Sequence, residues 1–206
     1  MPDRYYGLYL IPPPPIVYAI SLAHHVFESE FAAITGGRFM AHCTVKGFTK
    51  LAASSSPDDF VSPLDELFAK TKSFPTSINP PWMSSGGKPG ESILLWMDKS
   101  PEFQAFHNDV VEIIRPHIAD DCLFTPKEHM GEKFPPHFTL VQSDIPAELT
   151  LLAQAMSLAD YIYNNFPAHT FQARDLQLVE FESKDWAGQW GQTLKYKQLK
   201  GWRLAE

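Results

Sequence analysis

Two segments far apart in the chain carry the same chemistry: His42-Cys43-Thr44-Val45 and His137-Phe138-Thr139-Leu140. Each sits in an apolar stretch that reads as a β-strand. Side chains alternate along a strand, so the His and Thr of each segment share one face and the spacer takes the other. A fold that brings both strands to one cleft must gather two imidazoles and two hydroxyls there. That set suits acid–base chemistry on a phosphate. A single His-x-Thr says almost nothing; two of them in matching surroundings constrain the whole architecture.

The surroundings do match. Residues 5–11 (YYGLYLI) read as a strand, followed by the rigid run Pro12 to Pro15. Ile16, Ile20, Ala23, Phe27 and Phe31 then recur at helical spacing. Gly36 and Gly37 close that region, and residues 39–48 form the strand with the first motif. In the second half, residues 92–97 (SILLWM) read as a strand. Ser100 and Pro101 supply an N-cap and a first helical position. Phe103, Phe106, Val110, Ile113, Ile114 and His117 outline a helical face, and residues 136–142 carry the second motif. Each half adds another helix, one begun by Ser62-Pro63 and one by Pro146. The expected pattern is strand, helix, His-x-Thr strand, twice. It implies two pseudo-symmetric lobes around a central cleft. Two more strands are expected near 171–182 and 192–204. Segments 52–62, 80–91 and 119–135 read as loops.

Composition limits the partners. The chain has 206 residues with 44% hydrophobic content, enough for a packed core in a single domain spanning 1–206. Its formal net charge of −7 argues against coating a long nucleic acid through bulk electrostatics. Two cysteines make neither a disulfide framework nor a Cys-rich zinc site, and Cys43 reads as a small buried hydrophobe. No signal peptide or stretch of membrane-spanning length is visible, so a cytoplasmic protein without membrane contact is expected.

The paired motifs, with RFMAHCTVKGF, PPHFTLVQSDIP and the closing tryptophan-bearing strands, resemble the 2H phosphoesterase superfamily. That group includes 2′,3′-cyclic phosphodiesterases and proteins described as 2′-5′ RNA ligases. Its motif is His-x-Thr or His-x-Ser followed by a residue that is usually hydrophobic. Cys43 with Val45, and Phe138 with Leu140, fit it. The resemblance implies an α+β, bilobal fold in which two lobes, each with a mainly antiparallel sheet and flanking helices, face a central cleft. It also implies that His42 and His137 act as the acid–base pair, while Thr44 and Thr139 bind phosphate. Which histidine is the base stays open. The scheme needs no metal and no cofactor.

Two further residues are candidates for substrate contact. Lys46 follows Thr44 by two positions and would share its face, where it would attract an anion; a solvated strand-end lysine is the plainer reading. Phe134, just before the second motif, could offer a platform for a nucleobase. Phe48 could stack too, though core packing is the simpler role. His24 and His25, adjacent on a helix, diverge and read as surface or partly buried residues. His107 and His117 are too far apart to share a ligand. Gly86-Gly87-Lys88 lacks the spacing of a P-loop, no paired Cys/His zinc spacing occurs, and no Gly-x-Ser-x-Gly elbow is present. The expectation is a monomeric hydrolase of a 2′,3′-cyclic phosphate on a nucleotide, an RNA end or ADP-ribose. Its rivals are 2′-5′ RNA cleavage or ligation, and a non-catalytic nucleotide- or RNA-binding module.

Overall fold

The computed structural model describes residues 3–84, 90–124, 131–188 and 190–206. The strands are β1 (Arg4–Ile11), β2 (Cys43–Lys50), β3 (Phe74–Ser84), β4 (Glu91–Met97), β5 (His137–Ile145), β6 (Thr170–Ala173), β7 (Asp175–Glu182) and β8 (Lys195–Arg203). The helices are α1 (Pro14–Phe31), α2 (Asp58–Lys70), α3 (Pro101–Ile114), α4 (Leu149–Asn164) and the single turn α5 (Trp190–Thr193). The strands make one sheet in the order β6-β3-β4-β5-β2-β1-β7-β8, and each named neighbouring pair is antiparallel. The α+β class and the antiparallel character are as expected. The two sets of four strands run into one another through β2 and β5, the motif strands.

Only Arg174 separates β6 from β7, yet five strands lie between them in the sheet. The sheet therefore curls into a half-barrel, which brings its distant parts within reach of one short connection. The segment just before β3 is also bonded to the chain beyond β8, where Ser73 N–H donates to the Ala205 carbonyl at 2.6 Å.

One face of the sheet is closed by helices. Cys43, Val45, Ile93, Leu95, Phe138 and Val141 are fully buried there. α1 and α4 cover β5, and α3 covers β2. Buried residues on α1 (Ile16, Ile20, Ala23, Phe27) recur at the expected spacing. Ser100 caps α3 as expected, its Oγ accepting from Phe103 N–H at 3.2 Å.

Several boundaries shift for physical reasons. α2 begins at Asp58 and keeps Pro63 inside, because the extra turn buries Phe60. α4 begins at Leu149, after Glu148 rather than Pro146: the Glu148 carboxylate accepts from Thr150 and Leu151 N–H at 2.9 and 3.0 Å. β3 occupies residues 74–84, partly within a segment that reads as loop. Its prolines are accommodated because its partners divide it: residues 74–77 pair with β6, whereas β4 takes Ile78 and then Pro81 to Ser84.

The two halves meet at a register pair between Cys43 and Phe138. Phe138→Ala should therefore cost about 3–5 kcal/mol of stability, as a fully buried aromatic at a packed seam. Urea unfolding monitored by circular dichroism measures it, and a loss below about 1 kcal/mol would show that the seam does not depend on this side chain.

Candidate functional site

The seam dictates the site. In an antiparallel pair, a step forward on one strand matches a step back on the other. With Cys43 opposite Phe138, His42 falls opposite Thr139 and Thr44 opposite His137. Cys43 and Phe138 point into the core, so all four motif side chains stand on the other, open face. Directly opposed side chains have Cβ atoms roughly 5 Å apart. The array is thus a small rectangle with a histidine at two diagonal corners and a threonine at the other two.

His42, Thr44, His137 and Thr139 line one cavity of about 500 Å³, together with Tyr9, Phe39, Phe48, Phe124, Phe134 and Trp190 among other residues. That volume is suited to a ligand of nucleotide size. The walls are largely apolar, and these six aromatic rings are their bulkiest part. Lys133 supplies a cation, and Thr35 and Gln142 supply polar groups.

Both motif imidazoles are tied in the same way. His42 Nδ1 lies 2.7 Å from the Met40 carbonyl, and His137 Nδ1 lies 2.7 Å from the Pro135 carbonyl. A carbonyl only accepts, so Nδ1 of each ring carries the proton. Nε2 of each neutral ring is then the lone-pair nitrogen, ready to accept or relay a proton. The rings of Tyr9 and Phe39 stand 4.6 and 4.3 Å from that of His42. Burial among them pushes the His42 pKa down to about 4, against the partial support of the Met40 carbonyl, and charge on His137 would lower it further. Burial also lowers the His137 pKa, opposed by the Pro135 carbonyl. In both cases burial favours the neutral ring.

Two histidines outside the motifs hold the motif strands from behind. His24 on α1 is 9% exposed and donates from Nε2 to the Thr139 carbonyl at 2.9 Å. His107 on α3 is 1% exposed; its Nδ1 donates to the Val45 carbonyl at 2.8 Å, and its Nε2 accepts from Gly131 N–H at 3.3 Å. The tie is crossed. α1 follows a strand of the first half and grips the second motif strand, while α3 follows a strand of the second half and grips the first. Neither tie is visible in the sequence, which leaves His24 at or near the surface. The usable signal is a histidine on the buried side of a helical stripe, at a similar distance after each opening strand.

The loop after α1 is fastened to the same strand. Thr35 donates from its N–H and its hydroxyl to the Asp144 carboxylate, at 2.6 and 2.8 Å. A Cβ at Gly36 would come within 2.8 Å of the Leu140 carbonyl oxygen, so this close approach needs glycine. Thr35 and Gly36 thereby form part of the cavity wall.

Phe134 lines the cavity, with one side stacked on His107 at 4.2 Å. Phe48 lines it too, packed edge-on against Phe181 at 4.8 Å and Trp190 at 5.0 Å. Lys46 lies elsewhere. Tyr9 pairs with Thr44 but Leu8 pairs with Lys46, so β2 holds an extra residue at this point and the alternation breaks. Lys46 is 2% exposed and lines a second, small cavity with Phe60 and Ile114. Burial pushes its pKa down to about 8. The lysine in the main cavity is Lys133, which sequence reasoning passed over although it immediately precedes Phe134. His129 and Gly86-Gly87-Lys88 lie outside the described residues.

The lowered His42 pKa has a stability signature. Between pH 6.5 and about 4 the unfolded chain binds a proton at this residue that the folded chain refuses, so stability falls as pH falls through that window. The other buried histidines shift the same way. In His42→Gln, the decline in urea midpoint between pH 6.5 and 4.5 should be shallower than in the parent, by roughly one proton's contribution. Equal slopes in the two proteins would show that His42 titrates normally.

A sequence model described as the 2′-5′ RNA ligase superfamily matches residues 19–185. No curated protein sequence matches the chain. Among solved structures, TT0787 of Thermus thermophilus aligns with a TM-score of 0.66 at 13% identity, over 97% of each chain. E. coli LigT in its apo form aligns with a TM-score of 0.58 at 14% identity, over 100% of this chain and 99% of LigT. LigT complexed with 3′-AMP aligns at 0.51 and 13% identity, over 99% of each chain. At such identities the likeness is one of fold, and it extends over nearly the full length. No helix among the described residues is long and apolar enough to cross a membrane. The family match spans both motif strands and most of the sheet that joins them: the chain belongs to the 2′-5′ RNA ligase superfamily, within the 2H phosphoesterases.

Proposed function

We propose that the protein is a phosphodiesterase that opens a 2′,3′-cyclic phosphate on a nucleotide or an RNA end by two-histidine acid–base catalysis, without a metal. The observation that carries the reading is the diagonal array at the seam: two imidazoles with Nδ1 protons fixed by carbonyls, and two hydroxyls beside them, at the floor of one cavity. Family membership supports phosphoesterase chemistry. LigT, of the same fold, has been crystallised with phosphate and with 3′-AMP.

In this scheme the phosphate rests between the two imidazoles. The Thr44 and Thr139 hydroxyls donate to its nonbridging oxygens, and Lys133 adds positive charge at the wall. The anion raises the pKa of both rings, which counters the effect of burial. One proton is then held by the pair. The neutral ring accepts a proton from water as the water oxygen bonds to phosphorus. The protonated ring gives its proton to the ribose oxygen as that bond breaks. The product is a phosphomonoester, and the proton on the pair has changed rings. The hydroxyls, fixed in advance, need little rearrangement as charge develops on the phosphoryl oxygens. The two rings have matching local geometry, so the ribose oxygen that leaves decides which ring serves as acid.

Hydrolysis of the four nucleoside 2′,3′-cyclic monophosphates in EDTA, with the 2′- and 3′-products resolved, tests the proposal. His42→Ala and His137→Ala should each lower kcat by roughly 10²–10⁴-fold. Near-normal turnover in both single variants would overturn the two-histidine scheme. Lys133→Met should raise KM several-fold with a smaller effect on kcat, since its contribution is to anion binding; an unchanged KM would remove Lys133 from the substrate site.

A further inference from the structure

The open face of the sheet does not stop at the cavity. Strand register extends it outward from the second motif. On β4, Trp96 pairs with His137 and Leu94 pairs with Thr139. On β3, Trp82 pairs with Leu94. His42, Thr139, Leu94 and Trp82 therefore stand in one row across four strands, and Thr44, His137 and Trp96 in the next. Neighbouring strands are about 5 Å apart, which sets Trp82 roughly 10 Å from the Thr139 corner of the array.

The two tryptophans touch. Their ring centroids are 5.0 Å apart with planes inclined at 36°. The Trp96 ring meets that of His137 edge-on at 6.2 Å. Trp82 is 43% exposed, a large aromatic surface left to solvent beside a cavity already walled by other rings. The aromatic wall of the cavity belongs mainly to the first half of the sheet, through Tyr9, Phe39, Phe48 and Trp190. The tryptophan pair lies on the opposite side of the phosphate position. A substrate seated with its terminal base against the first wall would direct its remaining chain across the second.

We propose that Trp82 and Trp96 form a stacking subsite for the base of the nucleotide preceding the cyclic-phosphate end of an RNA chain. The inference rests on the phosphodiesterase reading of the site. It makes an oligonucleotide end a better substrate than a mononucleotide. An aromatic face binds any base without sequence readout. The chain's net charge of −7 fits a contact made by stacking more than by tracking phosphates. The added affinity should therefore survive in raised salt.

The test compares uridine 2′,3′-cyclic phosphate, the dinucleotide adenylyl-uridine 2′,3′-cyclic phosphate, and the same dinucleotide with an abasic first residue. The intact dinucleotide should exceed both others in kcat/KM by about ten-fold, the range of one base–aromatic stack. Trp82→Ala should bring the dinucleotide-to-mononucleotide ratio close to one, and Trp82→Phe should restore part of it. Equal rates on the intact and abasic dinucleotides, or the same ratio in parent and Trp82→Ala, would overturn the subsite. Calorimetric binding of the dinucleotide ending in a 3′-phosphate, against its abasic form, separates the two claims. Base-dependent binding without turnover sinks the hydrolytic reading and keeps the subsite. Turnover with base-independent binding does the reverse.

Discussion

Everything in the site depends on the antiparallel contact between β2 and β5. Cys43 against Phe138 sets the register, and the register alone decides that each histidine faces the other motif's threonine. A slip of one residue would turn the motif side chains of one strand into the core and expose its apolar ones. Full burial of Cys43, Val45, Phe138 and Leu140 makes that slip costly. The pairing that holds the halves together is the same one that brings the four motif side chains to one cavity.

The second constraint is the crossed tie behind that seam. His24 and His107 each reach from a helix of one half to a backbone carbonyl of the other half's motif strand. Each buried ring satisfies an otherwise difficult polar group, and each strand gains a fixed height relative to the helices. His107 also backs Phe134, so the wall of the cavity and the strand under its floor lean on one ring. Burial gives these two histidines and the two motif histidines lowered pKa values for the same reason, yet only the motif pair lines the cavity.

The motifs were legible because strand alternation is a strict period of two, and His42 with Thr44 and His137 with Thr139 obey it along one side of the cavity. Lys46 shows where that logic ends. A single extra residue in β2 reverses the alternation, and a register shift leaves no mark on one strand read alone. β3 was obscured by Pro75, Pro80 and Pro81, which argue against a strand until its divided pairing is known. The tie by His24 was obscured for a different reason: a helical histidine reads alike whether it faces solvent or a distant carbonyl. The family resemblance carried the pairing of the two halves, which periodicity could suggest but not align.

The strand order also has a consequence for biogenesis. The second half, β3 to β6, occupies a continuous stretch of chain, but the first half takes β1 and β2 from before it and β7 and β8 from after it. One half is thus inserted into the other. As the chain leaves the ribosome, His42 emerges early on a strand whose neighbour β1 still lacks β7, and its partner motif arrives much later. No emerging fragment holds a finished first half until residues near 203 are made. The strands that bring the two histidines together are both made by residue 145, so the seam precedes the outer strands β7 and β8 that complete the first half behind His42.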